Sequence, residues 1–71
     1  MQNIEIKKMP ITLVQFLKWS GAVLTGGQAK EMVHAGMVRL NGKPCLAAGQ
    51  KLQLNDVVSV EKQDYKLVLA D

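Results

Sequence analysis

The chain has 71 residues, of which 48% are hydrophobic and 21% charged, with a net charge of +3. One domain of this size buries only about 60% of the surface that its unfolded chain exposes, which favours a surface-binding module over a deep catalytic cleft. A single cysteine excludes an internal disulfide, and no apolar run approaches the about 20 residues that span a bilayer. We therefore expect one small soluble domain, residues 1–71, in the reducing cytoplasm, with no cofactor, metal or membrane partner.

The first predicted elements are a short strand and a short helix. Residues 4–7 alternate apolar and polar side chains, which is typical of a half-buried strand, and Pro10 ends that pattern. Thr12 and Gln15 have the spacing of a helix capping box, and Gly21 stands where a left-handed C-cap is expected. The residues between them that recur at helical spacing are Leu13, Phe16, Leu17 and Ser20.

A second helix is predicted from about Gln28 to Ala35, with Gly36 as its C-cap and residues 22–27 as the connection before it. Beyond Gly36 the apolar period changes from about 3.6 to 2. Strands are predicted at 38–40, 51–54, 57–61 and 65–69, separated by turns at 41–42, 55–56 and 63–64. This order predicts an α+β domain in which a helical pair packs on a small, curved, mostly antiparallel sheet.

The residues offer little support for an enzyme. His34 is the only histidine, and Glu31 precedes it by three residues, but no nucleophile or oxyanion hole accompanies them at a recognisable spacing. We interpret this pair as a surface contact on a helix, and Cys45 as a small core or edge residue rather than a reactive thiol.

The charge distribution indicates a partner. Residues 7–51 carry seven basic residues and one acid, a net charge of +6, whereas the remainder of the chain carries −3. Such asymmetry predicts a face for a polyanion, although solvated lysines that keep the protein soluble explain it equally well.

The start of the second helix is a candidate anion site, because its free amide groups carry a partial positive charge. Gly26 and Gly27 let a phosphate approach the backbone, and Thr25 and Gln28 donate further hydrogen bonds. Lys30 lies within the first turn. The alternative is that the two glycines only permit a tight connection between helices.

The aromatic residues leave one question open. Phe16 falls on the apolar stripe of the first helix and is expected in the core. Trp19 lies off the centre of that stripe, so it either packs at the rim of the core or stacks on an unpaired base.

Residues 29–42, AKEMVHAGMVRLNG, resemble the core of the alpha-L RNA-binding motif, the domain named after ribosomal small-subunit protein S-four. The similarity covers roughly Thr12 to Glu61, and the short length resembles stand-alone bacterial members. The matching positions outside that segment are Leu13, Leu17, Gly21, Gly49, Leu52, Asp56, Val58 and Val60. The resemblance implies a two-helix RNA-binding motif on a sheet.

The chain departs from the family's pattern at the start of the second helix. Many members carry Ser-Arg there, whereas this sequence has Thr25 and Gly26. Lys30 stands where the family often has arginine, and it neutralises phosphate without forming a bidentate fork. Lys43 matches a basic position in the family's turn. We expect backbone contacts at the glycine pair to replace the missing side chain.

Together these features predict binding of structured RNA, ribosomal or transfer RNA, in association with a ribosomal subunit. The expected contacts are Thr25, Gly26, Gly27, Gln28, Lys30, Arg39 and Lys43. The flanking candidates are Lys18, His34 and Lys51. The alternative is a protein–protein module in ribosome assembly or translation, with Trp19 and Met37 as apolar anchors.

Overall fold

The structure is a computed structural model that describes residues 1–70; Asp71, one of the acids counted above, lies outside them. Its elements are β1 (Gln2–Ile6), α1 (Leu13–Trp19), α2 (Gly26–His34), β2 (Val38–Leu40), β3 (Lys43–Pro44), β4 (Val57–Val60) and β5 (Gln63–Leu69). The strands form one sheet in the order β1-β5-β4-β2-β3, with β1 parallel to β5 and all other neighbours antiparallel. The predicted α+β class and mostly antiparallel sheet are confirmed.

Both helices pack on one face of the sheet. Val38, Val60 and Gln63 form one row across β2, β4 and β5, and Leu40, Val58 and Tyr65 form another. Because side chains alternate between faces along a strand, these two rows point to the same face. The fully buried side chains that meet there come from both helices and the sheet: Leu13, Phe16, Leu17, Val33, Val38, Val58 and Leu67.

The predicted capping of α1 is confirmed. The amide of Thr12 donates to Gln15 Oε1 at 2.9 Å, and the amide of Gln15 donates to Thr12 Oγ1 at 3.3 Å. After the helix, Gly21 adopts a φ of 82°, a conformation that side chains disfavour. Gly36 does the same after α2, with a φ of 77°.

The predicted start of the second helix is wrong by two residues. Thr25, in an extended conformation, is the N-cap of α2, so Gly26 and Gly27 are its first two helical residues. Neither glycine has a positive φ. The glycine pair therefore belongs to the helix and not to the connection, because Thr25 is its cap. Thr25 and Gln28 have the spacing of a capping box, a signal that the predicted helix start did not use.

The predicted strand at 51–54 is wrong. This segment forms only an isolated bridge, Thr12 with Lys51. Its backbone instead pairs with the chain entering α1: the amide of Leu13 donates to the Gln50 carbonyl at 2.8 Å, and the amide of Leu52 donates to the Ile11 carbonyl at 2.9 Å. The alternation reported burial only in part, because Leu52 is buried and Lys51 exposed as predicted, whereas Leu54 is 45% exposed.

The predicted turn at Gln63-Asp64 is also wrong. Both residues lie in β5, and Val60 pairs with Gln63, so the two-residue turn is Glu61-Lys62. Glu61 has a φ of 56° and therefore ends β4 one residue earlier than predicted. Gln63 and Asp64, which have turn propensity, thus lie in a strand, whereas the turn is formed by the charged residues Glu61 and Lys62.

The turn at Asn41-Gly42 is confirmed, with φ values of 53° and 85° at its two residues. Asp56, the last residue of the loop before β4, stabilises this turn. One Asp56 oxygen accepts from Asn41 Nδ2 at 3.0 Å and the other from the Gln53 amide at 2.8 Å. Asn41 Oδ1 accepts from the Val57 amide at 2.8 Å. The Asn-Gly turn is thus joined to the start of β4.

Replacement of Asp56 tests this connection. We expect Asp56→Ala to lower the free energy of unfolding by about 1.5–3 kcal/mol, because two hydrogen bonds to a charged acceptor are lost. Urea denaturation followed by circular dichroism measures it. Asp64→Ala, at an exposed position in β5, is the control and should change stability by no more than about 0.5 kcal/mol. Equal stability of the two variants would contradict the role given to Asp56.

Candidate nucleic-acid interface

The start of α2 presents several hydrogen-bond donors to solvent. Thr25 Oγ1 accepts from the Gln28 amide at 3.1 Å, and Gln28 Oε1 accepts from the Leu24 amide at 3.0 Å. These two hydrogen bonds cap the helix, and in both of them the Thr25 or Gln28 side chain is the acceptor. The Thr25 hydroxyl proton and the Gln28 side-chain NH₂ remain as donors. The amides of Gly26 and Gly27 join them, because the first amides of a helix have no acceptor within it.

Lys18 of α1 lies beside this helix start. A Cβ placed on Gly26 would meet Lys18 Cδ at 4.0 Å and Val14 Cγ1 at 3.8 Å. Lys18 itself is exposed. Its aliphatic stem thus packs alongside the first residue of α2, while the exposed side chain keeps its charged end in solvent.

Lys30 and His34 extend the same side of α2. With 3.6 residues per turn, Gly27, Lys30 and His34 lie within about 60° of one another around the helix axis. All three are exposed, whereas Ala29 and Val33, on the neighbouring core-facing side of the helix, are fully buried. The six residues that come together here, called the helix-start cluster below, are Lys18, Thr25, Gly26, Gly27, Gln28 and Lys30.

One acid borders the helix-start cluster. Glu31 is exposed and follows Gly27 by one turn, so its carboxylate lies on the flank of the strip that carries Lys30 and His34. Lys18 of α1 lies beside Gly26, and Lys30 follows Gly26 by one turn, so both lysines lie toward the side of α2 that faces α1.

The structure does not bring Arg39 to this cluster. Arg39 pairs with Ser59, and Ser59 pairs with Asp64, so these three residues form one row across the sheet. This row lies between the two rows that contain the core residues. Arg39 therefore points to the sheet face opposite the helices. Lys43 pairs with Leu40, so it projects toward the helix-bearing face from the edge strand β3.

Lys51 lies at the other end of α1 from Lys18. It bridges to Thr12, the N-cap of α1, and it is exposed. Lys18 follows Thr12 by six residues, a distance of roughly 9 Å along the axis of α1. Lys51 thus belongs to a different part of the surface from the start of α2.

Sequence reasoning left Lys7 and Lys8 out of the candidate set. Both line a surface groove with Lys18 and Trp19. The sequence contained two features that could have predicted this groove. One is the pair of adjacent lysines between a strand and Pro10, and the other is the spacing of Gln15, Lys18 and Trp19, which places them on one side of a helix. Trp19 is 65% exposed and lies at the rim, where its Nε1 donates to the Glu5 carbonyl at 3.1 Å.

Two further observations bear on the chemistry. Within residues 1–70 no group of three or more His, Cys, Asp or Glu side chains is arranged to hold a metal ion. None of the helices in that range is long and apolar enough to cross a membrane.

This combination of a helical pair, a small sheet and a donor-rich helix start is that of an RNA-binding motif, and comparison with known proteins identifies which one. The S4 domain family matches residues 4–68, and this chain belongs to that family. A relative from Bacillus subtilis (strain 168), named a probable ribosome maturation protein RlbA, is 40% identical over 58 residues, covering 82% of each chain. The resemblance seen in the sequence is confirmed.

The cap of α2 can be tested apart from any ligand. We expect Thr25→Ala to lower the free energy of unfolding by about 1 kcal/mol, because the Gln28 amide loses its acceptor. Thr25→Ser keeps a hydroxyl and should retain most of the stability. Urea denaturation of both variants measures the difference, and an alanine variant as stable as the serine variant would contradict this cap.

Proposed function

We propose that this protein binds structured RNA through the helix-start cluster, and that the RNA is ribosomal RNA of a maturing subunit. The phosphate backbone is the main ligand, so shape and charge determine binding more than base sequence does. The protein acts in this proposal as a binding module, without a reaction of its own.

The arrangement of donors at the start of α2 is the observation that carries the proposal. Two free backbone amides, a hydroxyl and a side-chain amide lie at this helix start, with the stem of Lys18 beside its first residue and Lys30 one turn further along α2. Helix N-termini bind phosphate because their amides point at the anion and the helix dipole favours negative charge. The two lysines add the long-range attraction that raises the rate of association with a polyanion.

The missing arginine of the family's pattern fits this geometry. Gly26 leaves the first amides of α2 accessible, and the stem of Lys18 occupies the adjoining space. Lys18 supplies from α1 a cation close to the position from which the family's arginine side chain would start. A phosphate held by amides and point charges is bound with less directional control than one held by a guanidinium fork.

The relative's printed name supports the biological setting. A protein 40% identical over most of its length is named a probable ribosome maturation protein. Ribosome maturation takes place in the cytoplasm of bacteria, and its substrate is folded ribosomal RNA. A role in ribosome maturation is thus consistent with the S4 domain, with the basic helix start and with the expected cytoplasmic location.

Charge reversal at Lys30 tests the site. We expect Lys30→Glu to weaken binding to a structured ribosomal RNA fragment about tenfold at low salt, because one phosphate contact is lost and a carboxylate replaces it. The slope of log affinity against log salt should fall by about 1. Lys43→Glu should act in the same direction. Fluorescence anisotropy of labelled RNA over a salt series measures both quantities.

Lys62→Glu is the matched control for these variants. Lys62 is exposed in the turn between β4 and β5, and its reversal changes the net charge by the same amount. It should leave the affinity within about twofold of the unmodified protein. Equal losses in Lys30→Glu and Lys62→Glu would mean that net charge alone governs binding, against a site at α2.

The backbone contribution is tested at Gly27. Its added Cβ would meet only Thr25 Oγ1, at 4.0 Å, so Gly27→Ala should fold and gain about 0.5–1 kcal/mol in stability. The Cβ of a helical residue tilts toward the N-terminus, so the methyl group obstructs a phosphate there. We expect RNA affinity to fall several-fold although stability rises. Gly49→Ala, in a loop with open space around it, should not change the affinity.

A protein–protein module is the competing proposal, and the same measurements separate the two. Binding to a protein surface through Trp19 and Met37 would depend weakly on salt, since both are apolar. A flat salt response together with unchanged affinity in Lys30→Glu would favour that alternative. Transfer RNA bound more tightly than ribosomal RNA would redirect the choice of RNA without altering the site.

A further inference from the structure

A groove runs between the β1–α1 connection and the exposed side of α1. Its volume is about 660 Å³, within the range of about 300–1,000 Å³ that small-molecule sites occupy. Met9 and Pro10 contribute apolar surface from the connection, and Trp19 contributes it from α1. Lys7, Lys8 and Lys18 stand around the same space. The groove shares only Lys18 with the helix-start cluster.

The indole of Trp19 is exposed and held in place. Its side chain is 65% accessible, unusual for the largest apolar side chain of so small a domain. The Nε1–H donates to the Glu5 carbonyl at 3.1 Å, which ties α1 to β1. A ring restrained in this way loses little further freedom when a flat ligand stacks on it.

The charges around the groove favour an anionic occupant. Three lysines line it, and among residues 1–70 none of its lining side chains is acidic. Glu5 enters only through its carbonyl oxygen, because Ile6 of the same strand faces the core and alternation turns the Glu5 side chain to the other face of the sheet. An apolar peptide would leave three ammonium groups beside it without partners.

We propose that this groove binds an unpaired nucleotide of an RNA chain, with its base stacked on Trp19 and its flanking phosphates bound by Lys7, Lys8 and Lys18. The inference rests on the proposed function and deepens it, because it names single-stranded or bulged RNA as the ligand of a second surface. Every base has a π-face, so the contact tolerates sequence changes while requiring that the nucleotide be unstacked from its own helix.

The groove is continuous with the helix-start cluster through Lys18. The Lys18 stem packs against the start of α2, and the same side chain lines the groove. One RNA therefore reaches both surfaces, with a paired segment on α2 and a displaced nucleotide on Trp19. The two contacts together select a helix that carries a bulge or a loop over a blunt duplex.

The fluorescence of Trp19 provides a direct test, because the chain contains one tryptophan. The probes are a blunt RNA hairpin whose loop is a non-nucleotide linker, the same hairpin with one bulged uridine, and uridine monophosphate. We expect the bulged hairpin to quench Trp19 fluorescence saturably and to bind about 5- to 150-fold more tightly than the blunt one, the range that stacking on one aromatic supports. The blunt hairpin should bind without quenching.

Variants separate stacking from charge. With labelled hairpins, Trp19→Ala should abolish the preference for the bulge and leave affinity for the blunt hairpin unchanged, while Trp19→Phe should keep part of the preference. Lys7→Glu and Lys8→Glu alter exposed side chains outside helices and strands, so they test the groove without loss of packing. Both should weaken bulged-hairpin binding several-fold. Met37→Ala, at another exposed apolar position, is the control and should change neither affinity.

The possible failures are distinguishable. If neither hairpin binds, the proposed function fails and the groove proposal fails with it. If both hairpins bind equally and Trp19 fluorescence stays constant, the groove proposal alone is overturned. If Trp19→Ala keeps the preference for the bulged hairpin, the groove proposal is also overturned, and the exposed indole is then explained by binding to a protein partner. Tighter binding of uridine monophosphate than of the bulged hairpin would assign the groove to free nucleotides instead.

Discussion

The shared apolar core of the two helices is the constraint on which the rest of this structure depends. α1 has seven residues and α2 has nine, and helices of these lengths are marginal in water on their own. Leu13, Phe16 and Leu17 of α1 meet Val33 of α2 over the sheet, and all four are fully buried. The amides at the start of α2 exist as an ordered array only because this packing holds the helix.

The sheet carries this core and also separates the basic residues. Val38 and Leu40 turn toward the helices, so Arg39 between them turns away, to the row that contains Asp64. The positive charge of the central chain is thus distributed over two faces. The face that bears the helices combines cations with free backbone donors, whereas the opposite face carries Arg39 and Asp64 in one cross-strand row.

The Asn-Gly turn illustrates how a family motif can be structural. Asn41 takes a positive φ and exchanges hydrogen bonds with Asp56 and Val57, so its side chain is occupied within the protein. The turn therefore holds the β2–β3 hairpin against β4, and Lys43 follows it on the edge strand. At the start of α2, by contrast, the side chains of Thr25 and Gln28 both cap the helix and retain donors for a partner.

Local sequence determined the elements whose signals are short-range. The capping box of Thr12, the glycines at 21 and 36 and the Asn41-Gly42 turn each depend on hydrogen bonds or φ values within a few residues, so their positions were predictable. The pattern also identified the S4 resemblance and the donor-bearing residues 25–28. It misplaced the start of α2, because the Thr25 cap outweighs the low helix propensity of Gly26 and Gly27. It also misplaced the turn before β5, because Glu61 adopts a positive φ that its residue type rarely takes.

Tertiary structure alone decided which distant residues meet. Residues 51–54 alternate like a strand, yet their backbone found its partners in the chain entering α1 and not in the sheet. Lys18 reached the start of α2, Arg39 was turned away from it, and Lys7 and Lys8 joined Trp19 around a groove. Sequence spacing determines the side of a helix or strand on which a residue lies, whereas the packing of those elements determines what lies opposite, since that depends on long-range burial.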